Sequence, residues 1–277
     1  MSDSVERARE LDRLGRRIQV LVLVKTSPTP SRQYEETVCV AGIALNPYRW
    51  VRLYPIKFRD YEAEQKFKKY EIIEIGVKIS SNDHREESLH IDGEPTVISS
   101  VGPKWADRHT YIAQLPQVTL CELRRGAKAD VNAQSLAAIE SSDIPTIIVE
   151  PHPGWSVTEQ SIIDQWSQED LFGNIRKPLV SPRYKVRLRF HCLETSCPSH
   201  TISLIDWEVT ALQRNFRNDT LEYAKQQFQI KFIDQKFKPN KVTQILVGNQ
   251  AQGTKRQSFI ALGIFGPYTA PLPGIFW

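Results

Sequence analysis

The chain has 277 residues and a mass of 31.8 kDa, a size that allows one large domain or two ordinary ones. Its composition, 40% hydrophobic and 25% charged, is that of a globular protein and argues against a low-complexity or fibrous chain. The net charge of +4 permits binding to phosphates without requiring it, because a binding surface needs clustered charge rather than a favourable total.

The N-terminus carries no targeting signal. Residues 1–19 are charged throughout and lack the apolar core of a signal peptide. The most apolar runs, at 20–24 and 259–265, are too short to span a bilayer. We therefore expect a cytoplasmic location and no membrane partner. Thiols stay reduced in the cytoplasm, so the four cysteines are expected to serve metal or redox chemistry rather than a disulfide framework.

The N-terminal third predicts one helix followed by strands. Apolar residues recur at spacings of three or four over 4–17, which indicates an amphipathic helix with a charged, solvated face. Short apolar runs separated by turns then follow, a pattern typical of a small barrel or sandwich. The predicted strands are 17–24, 37–45, 49–56 and 70–80, with a short helix near 61–69 and a further strand that ends near Ile98.

The remainder predicts a helical segment and then a second β-rich region. Helical runs are predicted at 104–115 and 129–140, and later at 157–166 and 219–232. Five further strands are predicted at 144–152, 184–192, 201–209, 242–248 and 258–266. The predicted fold is therefore α+β and β-rich, with a helix and barrel lobe over 1–101, a helical connector over 102–143 and a second β-rich lobe over 144–277.

Cysteine and histidine are concentrated in the segment HCLETSCPSH at 191–200. If the flanking strands form a hairpin, Cys192 ends the first strand, Cys197 lies in the connection and His200 begins the second strand. Thiolate and imidazole are the ligands that tetrahedral zinc prefers, so these three residues predict a Zn²⁺ site, structural rather than catalytic. Strand alternation places His191 on the opposite face.

The fourth ligand of this site is left open by the sequence. Cys121 or His152 could reach the hairpin, or a water could complete the shell, and three protein ligands with a water would be the geometry of catalytic zinc. The spacing lacks the paired CxxC of a strong zinc motif. The alternative is therefore a reduced thiol pair in a polar turn beside a surface histidine.

Asp206 and Glu208 are predicted to share one face of the strand that follows the hairpin. Two carboxylates on one face could act as a general acid and base or hold a divalent ion. We favour ion pairing across the hairpin, because the preceding strand carries Lys185, Arg187 and Arg189 on one face.

The segment RWVRLYPIKFR at 49–59 mixes aromatic and basic residues. Trp50, Arg52 and Tyr54 share one strand face, and Lys57 and Arg59 follow directly. Aromatic rings and cations on an exposed sheet are what single-stranded nucleic acid requires, a stacking surface for bases and positive charge for phosphates. The alternatives are a surface cation–π ladder, or a core tryptophan with Arg52 reaching outward.

The segments TVCVAGIAL…YRWVRLYP and YKVRLRFHC…CPSH…DWE resemble bacterial dual-OB-domain-containing proteins. This resemblance implies that the two lobes are small OB-like β-barrels and, by analogy, that they bind nucleic acid. It carries over no catalytic residue.

We therefore expect a non-catalytic accessory module of a bacterial nucleic-acid-processing or defence assembly, with single-stranded DNA or RNA and protein subunits as partners. The expected nucleic-acid contacts are Trp50, Arg52, Tyr54, Lys57, Arg59, Lys185, Arg187 and Arg189. A zinc-dependent hydrolase or nuclease with Asp206 or Glu208 as base is the first alternative. A scaffold whose basic faces dock onto an acidic protein is the second.

Overall fold

The computed structural model describes residues 3–58, 60–80, 83, 85–130, 132–167, 177–216, 220–239, 241–250 and 253–268. This part of the chain is α+β and rich in strands. Its six α-helices are α1 (Asp3–Leu14), α2 (Trp105–Ile112), α3 (Leu120–Ala129), α4 (Val157–Trp166), α5 (Trp207–Gln213) and α6 (Leu221–Gln229). None of them is long and apolar enough to cross a membrane.

The strands fall into an N-terminal group and a C-terminal group. The N-terminal strands are β1 (Arg16–Lys25), β2 (Thr29–Ser31), β3 (Glu35–Leu45), β4 (Tyr48–Ile56), β5 (Glu71–Ile79), β6 (Ser88–Ile91) and β7 (Thr96–Ser100). The C-terminal strands are β8 (Leu136–Glu140), β9 (Thr146–Pro151), β10 (Tyr184–Phe190), β11 (His200–Ser203), β12 (Val242–Asn249) and β13 (Phe259–Tyr268).

Five of the N-terminal strands close a barrel. They pair in the order β1-β3-β4-β6-β5, and β5 pairs back onto β1. The β4–β6 pair is parallel and the other four pairs are antiparallel. β1 serves two neighbours, since residues 16–21 pair with β5 and residues 20–25 pair with β3. Inward-facing aliphatic side chains such as Val22, Val40 and Leu53 fill the interior, and closure leaves these strands without a free edge.

The C-terminal strands form two antiparallel three-stranded sheets, β8-β12-β13 and β9-β10-β11. Two isolated bridges connect the sheets. Ser141, just after β8, pairs with Cys192, just after β10, and Leu204, just after β11, pairs in parallel with Ala261 of β13. Buried side chains from both sheets and from α3 and α6 pack together in one hydrophobic cluster.

The barrel packs its outer surface against the C-terminal strands. Leu21 and Leu23 of β1, with Ile43 of β3, lie in a buried cluster that also contains Leu136 of β8 and Leu246 of β12. The apolar run at 20–24 has no polar alternation because both of its faces are covered, one by the barrel interior and one by these strands. The contact between the outer face of these barrel strands and the C-terminal strands therefore forms a second hydrophobic core.

A buried polar network accompanies this apolar contact. The Glu87 carboxylate accepts hydrogen bonds from the Ser135 and Leu136 backbone N–H groups and from the Ser135 hydroxyl. The Arg52 guanidinium donates to the hydroxyls of Ser88 and Ser135 at 3.0 and 3.2 Å. These bonds fix the start of β8 against β4 and β6, because a buried charged group left without partners is costly.

One ion pair at the edge of this network predicts an acid sensitivity. Burial alone would raise the pKa of Asp83, but hydrogen bonds from the Arg85 guanidinium lower it from 3.8 to about 2. Because the folded pKa lies below the unfolded one, the carboxylate stabilises the fold above pH 4, and this contribution disappears as the pH falls through 2. We expect about 2 kcal/mol in total, of which about 1 kcal/mol is already lost between pH 5 and pH 3.

Urea unfolding of the wild type and of Asp83→Asn at pH 5 and pH 3 measures this contribution. The difference in unfolding free energy between the two proteins should narrow by about 1 kcal/mol at the lower pH, because protonation makes the wild-type side chain resemble the amide. If the difference in unfolding free energy between the two proteins is the same at pH 5 and pH 3, the Asp83 carboxylate does not stabilise the fold in the way proposed.

The structure confirms the predicted strands 17–24, 37–45, 49–56 and 70–80 and corrects four predicted elements. The single strand expected to end near Ile98 is two strands, β6 and β7. The helix expected at 61–69 is reduced to one 3₁₀ turn, Ala63–Gln65. The run 129–140 was predicted to be helical, but its second half is β8, buried between the barrel and β12. The strand expected over 201–209 ends at Ser203, because Asp206 accepts a hydrogen bond from the Glu208 N–H and so caps α5.

Candidate functional site

Four potential metal ligands converge at one end of the β10–β11 hairpin. Phe190 and His200 are directly paired across the hairpin, so Cys192, two residues after the end of β10, lies close to the start of β11 at His200. Cys197 lies in the connection between the strands, and Cys121 enters from the first turn of α3. The ligand atoms of these four residues all lie within 4.8 Å of one another.

The distances between these atoms match a tetrahedral ion. Zn–S bonds of 2.3 Å and Zn–N bonds of 2.0–2.1 Å separate two sulfur ligands by about 3.8 Å, and a sulfur from a nitrogen by about 3.6 Å. The Sγ atoms of Cys121 and Cys192 are 3.7 Å apart. The Nε2 atom of His200 is 3.4 Å from Cys121 Sγ and 3.2 Å from Cys197 Sγ. The cluster is therefore compatible with zinc and offers four protein ligands.

The electrostatics of the cluster favour a cation at its centre. Burial and the neighbouring Cys192 thiol raise the pKa of Cys121 to about 12, so this thiol resists ionisation when no cation is present. Burial also acts to raise the pKa of Cys192, but hydrogen bonds from the Glu194 and Cys121 backbone outweigh it and lower that pKa. A divalent ion reverses the preference of Cys121 for the thiol form and deprotonates a coordinating thiol outright. Burial lowers the pKa of His200 to about 4, which keeps its imidazole in the neutral form that binds metals.

Polar contacts hold α3 against the loop that carries the ligands. The Arg125 guanidinium donates to both carboxylate oxygens of Glu194, at 2.8 and 2.7 Å. Within the loop, the backbone N–H of Cys192 donates to Cys197 Sγ at 3.3 Å. The ion pair between Arg125 and Glu194 thus connects the helix that carries Cys121 to the loop between β10 and β11.

The structure brings together the three residues predicted from the sequence to be ligands and adds Cys121 to them as a fourth potential ligand. The other candidate, His152, instead hydrogen-bonds through Nδ1 with the Ser181 hydroxyl. Sequence reasoning missed α3, although a signal was present. Thr119 and Glu122 form a capping box, a pattern that predicts a helix start and so places Cys121 on the first turn.

The structure agrees with the prediction for His191 and disagrees with the prediction for Asp206 and Glu208. His191 points away from the cluster as expected, and its Nδ1 lies 2.8 Å from the Asp143 carboxylate. Asp206 and Glu208 do not pair with the basic residues of β10. Asp206 receives two hydrogen bonds from the Lys69 ammonium, at 2.7 and 2.6 Å, and Glu208 receives one at 3.0 Å. The prediction was wrong because α5 begins at this point and the strand does not continue.

The aromatic and basic face of β4 is covered rather than open. Trp50, Arg52 and Tyr54 alternate with the inward-facing residues as predicted, but Trp50 is 7% exposed and Arg52 is 4% exposed. Trp50 belongs to the cluster between the barrel and the C-terminal strands. The expectation that these two side chains are free to stack on bases and bind phosphates is therefore wrong, and only Tyr54, 39% exposed, reaches solvent.

The sequence predicted that two basic residues, Lys57 and Arg59, continue this surface. Lys57 is half-buried, and its ammonium lies 3.8 Å from the Glu35 carboxylate. Arg59 lies outside the described residues.

The outward face of β10 carries the exposed basic row that the sequence predicted. Tyr184, Val186, Leu188 and Phe190 are buried, whereas Lys185 and Arg189 are exposed and Arg187 is half-buried. Arg187 donates to both oxygens of the Glu150 carboxylate on β9, each at 2.8 Å. Among the predicted nucleic-acid contacts with described side chains, the two fully exposed cations are therefore on this strand.

Fold and site together define a strand-rich α+β protein with a closed five-stranded barrel and a four-residue Cys₃His cluster. The chain belongs to the family described as Domain of unknown function (DUF8757), which matches residues 116–275 and so includes the whole cluster. A second family, Domain of unknown function (DUF8758), matches residues 16–114, which contain the barrel. No curated protein matches the chain.

Proposed function

We propose that this chain is a zinc-stabilised module that binds single-stranded nucleic acid and catalyses no reaction. It would serve as an accessory subunit of a bacterial nucleic-acid-processing or defence assembly. The observation that carries the proposal is the exposed row of cations along β10, which lies on the hairpin that also supplies three ligands of the metal cluster.

The strand order of the N-terminal barrel supports an OB fold. Counted along the chain, its five strands pair in the order 1-2-3-5-4-1, and strands 3 and 5 are parallel. The first strand is shared between strands 2 and 4. This is the arrangement of the five-stranded OB barrel, a fold that presents its second and third strands to oligonucleotides.

The C-terminal strands support a second barrel of the same kind. If β8 and β9 together count as strand 1, then β8 pairs with strand 4, which is β12, and β9 pairs with strand 2, which is β10. β11 pairs antiparallel with β10, and β12 pairs antiparallel with β13. The Leu204–Ala261 bridge supplies the parallel contact between strands 3 and 5. The same order therefore recurs, and helices α5 and α6 lie between its third and fourth strands.

The composition of the metal cluster supports a structural zinc ion. Three sulfurs and one imidazole nitrogen are soft or borderline ligands that suit zinc, and four protein ligands fill a tetrahedral shell. A zinc hydrolase keeps one position for water, so this donor set does not favour the hydrolase alternative. The carboxylates considered as its base, Asp206 and Glu208, are occupied by the Lys69 ammonium.

The location of the binding surface follows from what covers each barrel. Strands 2 and 3 of the N-terminal barrel are β3 and β4, whose outer face packs against the C-terminal strands. The equivalent strands of the C-terminal group are β10 and β11, whose outer face carries Lys185 and Arg189 with the exposed Thr201 and Ser203 beside them. Cations and hydroxyls that face solvent on a sheet can contact successive phosphates.

The test is oligonucleotide binding by the double variant Lys185→Gln/Arg189→Gln. Both side chains are exposed, so the fold should be retained. We expect affinity for a short single-stranded oligonucleotide to fall at least about tenfold, since hydrogen bonds to charged groups are worth about 1.5–3 kcal/mol each. The slope of log affinity against log salt should decrease by about 1.4, or about 0.7 for each lost phosphate contact.

A charge-matched control is Lys128→Gln/Lys238→Gln, because both lysines are exposed and neither lies on the proposed face. This control should keep wild-type affinity. Equal losses in both double variants would indicate non-specific attraction and contradict a binding face on β10. If the chain binds an acidic protein and no oligonucleotide at all, the result would instead support the scaffold alternative.

A further inference from the structure

A groove lies where the N-terminal barrel meets the segment that precedes β10. Its volume is about 710 Å³. Phe58, just after β4, forms part of its barrel side, α5 contributes Trp207 and Thr210, and residues 177–183 form part of the opposite side. A volume in this range is typical of clefts that hold a small organic molecule or one unit of a polymer.

The groove is positively charged. The charged residues that line it, among those the structure describes, are four cations and no acid, listed as Lys66, Lys177, Arg183 and Arg214. Lys66 and Arg214 are exposed, and neither takes part in an ion pair with another described residue. A cleft lined by one sign of charge attracts an oppositely charged ligand.

The groove also presents aromatic surface. Trp207 and Phe58 both line the cavity, and their rings meet edge to face with centroids 6.0 Å apart. The Lys25 ammonium lies 4.0 Å from the centroid of the Phe58 ring and covers one of its faces. The Arg214 guanidinium lies 5.7 Å from the centroid of the Trp207 ring. A cation and an indole are therefore close enough to contact the phosphate and the base of a single ligand.

We propose that this groove binds one nucleotide unit, with its base against Trp207 and Phe58 and its phosphate between Lys66 and Arg214. The inference deepens the proposed function and rests on it, because the nucleotide is taken to belong to the strand that contacts β10. Arg183 lines the groove and lies two residues before Lys185, so the groove adjoins the start of the basic row. The carboxylates of an acidic peptide could pair with the cations but would not stack on the two rings. A nucleotide can contact both the cations and the rings and therefore fits the groove better.

The test compares five probes by calorimetry on the full chain, namely thymidine 5′-monophosphate, thymidine, inorganic phosphate, a short oligothymidylate and an oligoglutamate. The wild type should bind the nucleotide more tightly than thymidine or phosphate, because only the nucleotide can contact both the aromatic rings and the cations of the groove. Lys66→Gln/Arg214→Gln changes two exposed side chains and should weaken binding of the nucleotide and the oligothymidylate at least about tenfold. Lys128→Gln/Lys238→Gln is again the matched control and should bind both probes as the wild type does.

The outcomes separate this inference from the proposed function. If Lys185→Gln/Arg189→Gln weakens oligothymidylate binding and the groove variant does not, the groove inference is overturned and the proposed function stands. If only the groove variant weakens both probes, the groove stands and the face on β10 is wrong. Phosphate binding as tight as nucleotide binding, or tighter binding of an oligoglutamate, overturns the groove as a nucleotide site. If the wild type binds neither thymidine 5′-monophosphate nor the oligothymidylate, both proposals are overturned.

Discussion

Replacing Cys121 with serine is expected to release the metal ion and to lower the melting temperature by about 8–16 °C. Loss of a structural metal is among the few single changes that cost more than about 4 kcal/mol. At this chain length, each kcal/mol corresponds to about 2–4 °C. Cys121 is the potential ligand on α3, so its loss removes a link through the ion between α3 and the hairpin and leaves the apolar packing of α3 and the Arg125–Glu194 ion pair.

Metal analysis and thermal unfolding together measure this effect. The wild type should contain one zinc ion per chain, and a strong chelator should lower its melting temperature as Cys121→Ser does. Cys39→Ser is the matched control, because Cys39 lies on β3, away from the cluster, and should leave the zinc content unchanged. Full zinc content in Cys121→Ser would show that the fourth ligand has been assigned wrongly. A metal-free wild type with the same melting temperature would overturn the structural role.

How much of the Cys₃His cluster the sequence predicts depends on how far apart its four residues lie along the chain. Cys192, Cys197 and His200 belong to one hairpin, and strand alternation is enough to bring them together. Cys121 lies 71 residues before Cys192, and its approach depends on how α3 packs against the second group of strands. Local patterns carry no information about such packing, which is why the sequence left the fourth ligand open.

The β4 face shows a second limit of the sequence. Alternation correctly separated Trp50 and Arg52 from the inward-facing residues, but it could not identify what covers the outer face. That cover is supplied by strands more than 80 residues later in the chain, whose contact with β4 includes the bond from Arg52 to Ser135. The uninterrupted apolar run at 20–24 was an available signal, because a strand that is apolar on both sides is buried on both sides.

The Lys69 ion pair fastens α5 to the barrel across the same contact, and removing one partner should be costly. Its ammonium and the Asp206 carboxylate are both deeply buried, at 13% and 2% side-chain exposure. Burial alone would lower the pKa of Lys69, but Asp206 and Glu208 raise it above the usual lysine value, whereas burial raises the pKa of Asp206. The two hydrogen bonds from the ammonium, at 2.7 and 2.6 Å, are those of an ion pair. Lys69→Met leaves the Asp206 charge buried without its partner, for which we expect a loss of about 3–5 kcal/mol.

Guanidinium unfolding of Lys69→Met beside Lys68→Met measures this contribution, since Lys68 is the exposed neighbour and its change should cost less than about 0.5 kcal/mol. The double variant Lys69→Met/Asp206→Asn removes both charges and keeps an oxygen that can cap α5. It should therefore recover much of the loss, because most of the cost comes from the unpaired carboxylate. If Lys69→Met costs no more than Lys68→Met, the pair does not hold α5 to the barrel, and the covered face of β4 must be maintained by apolar packing and the Arg52 network alone.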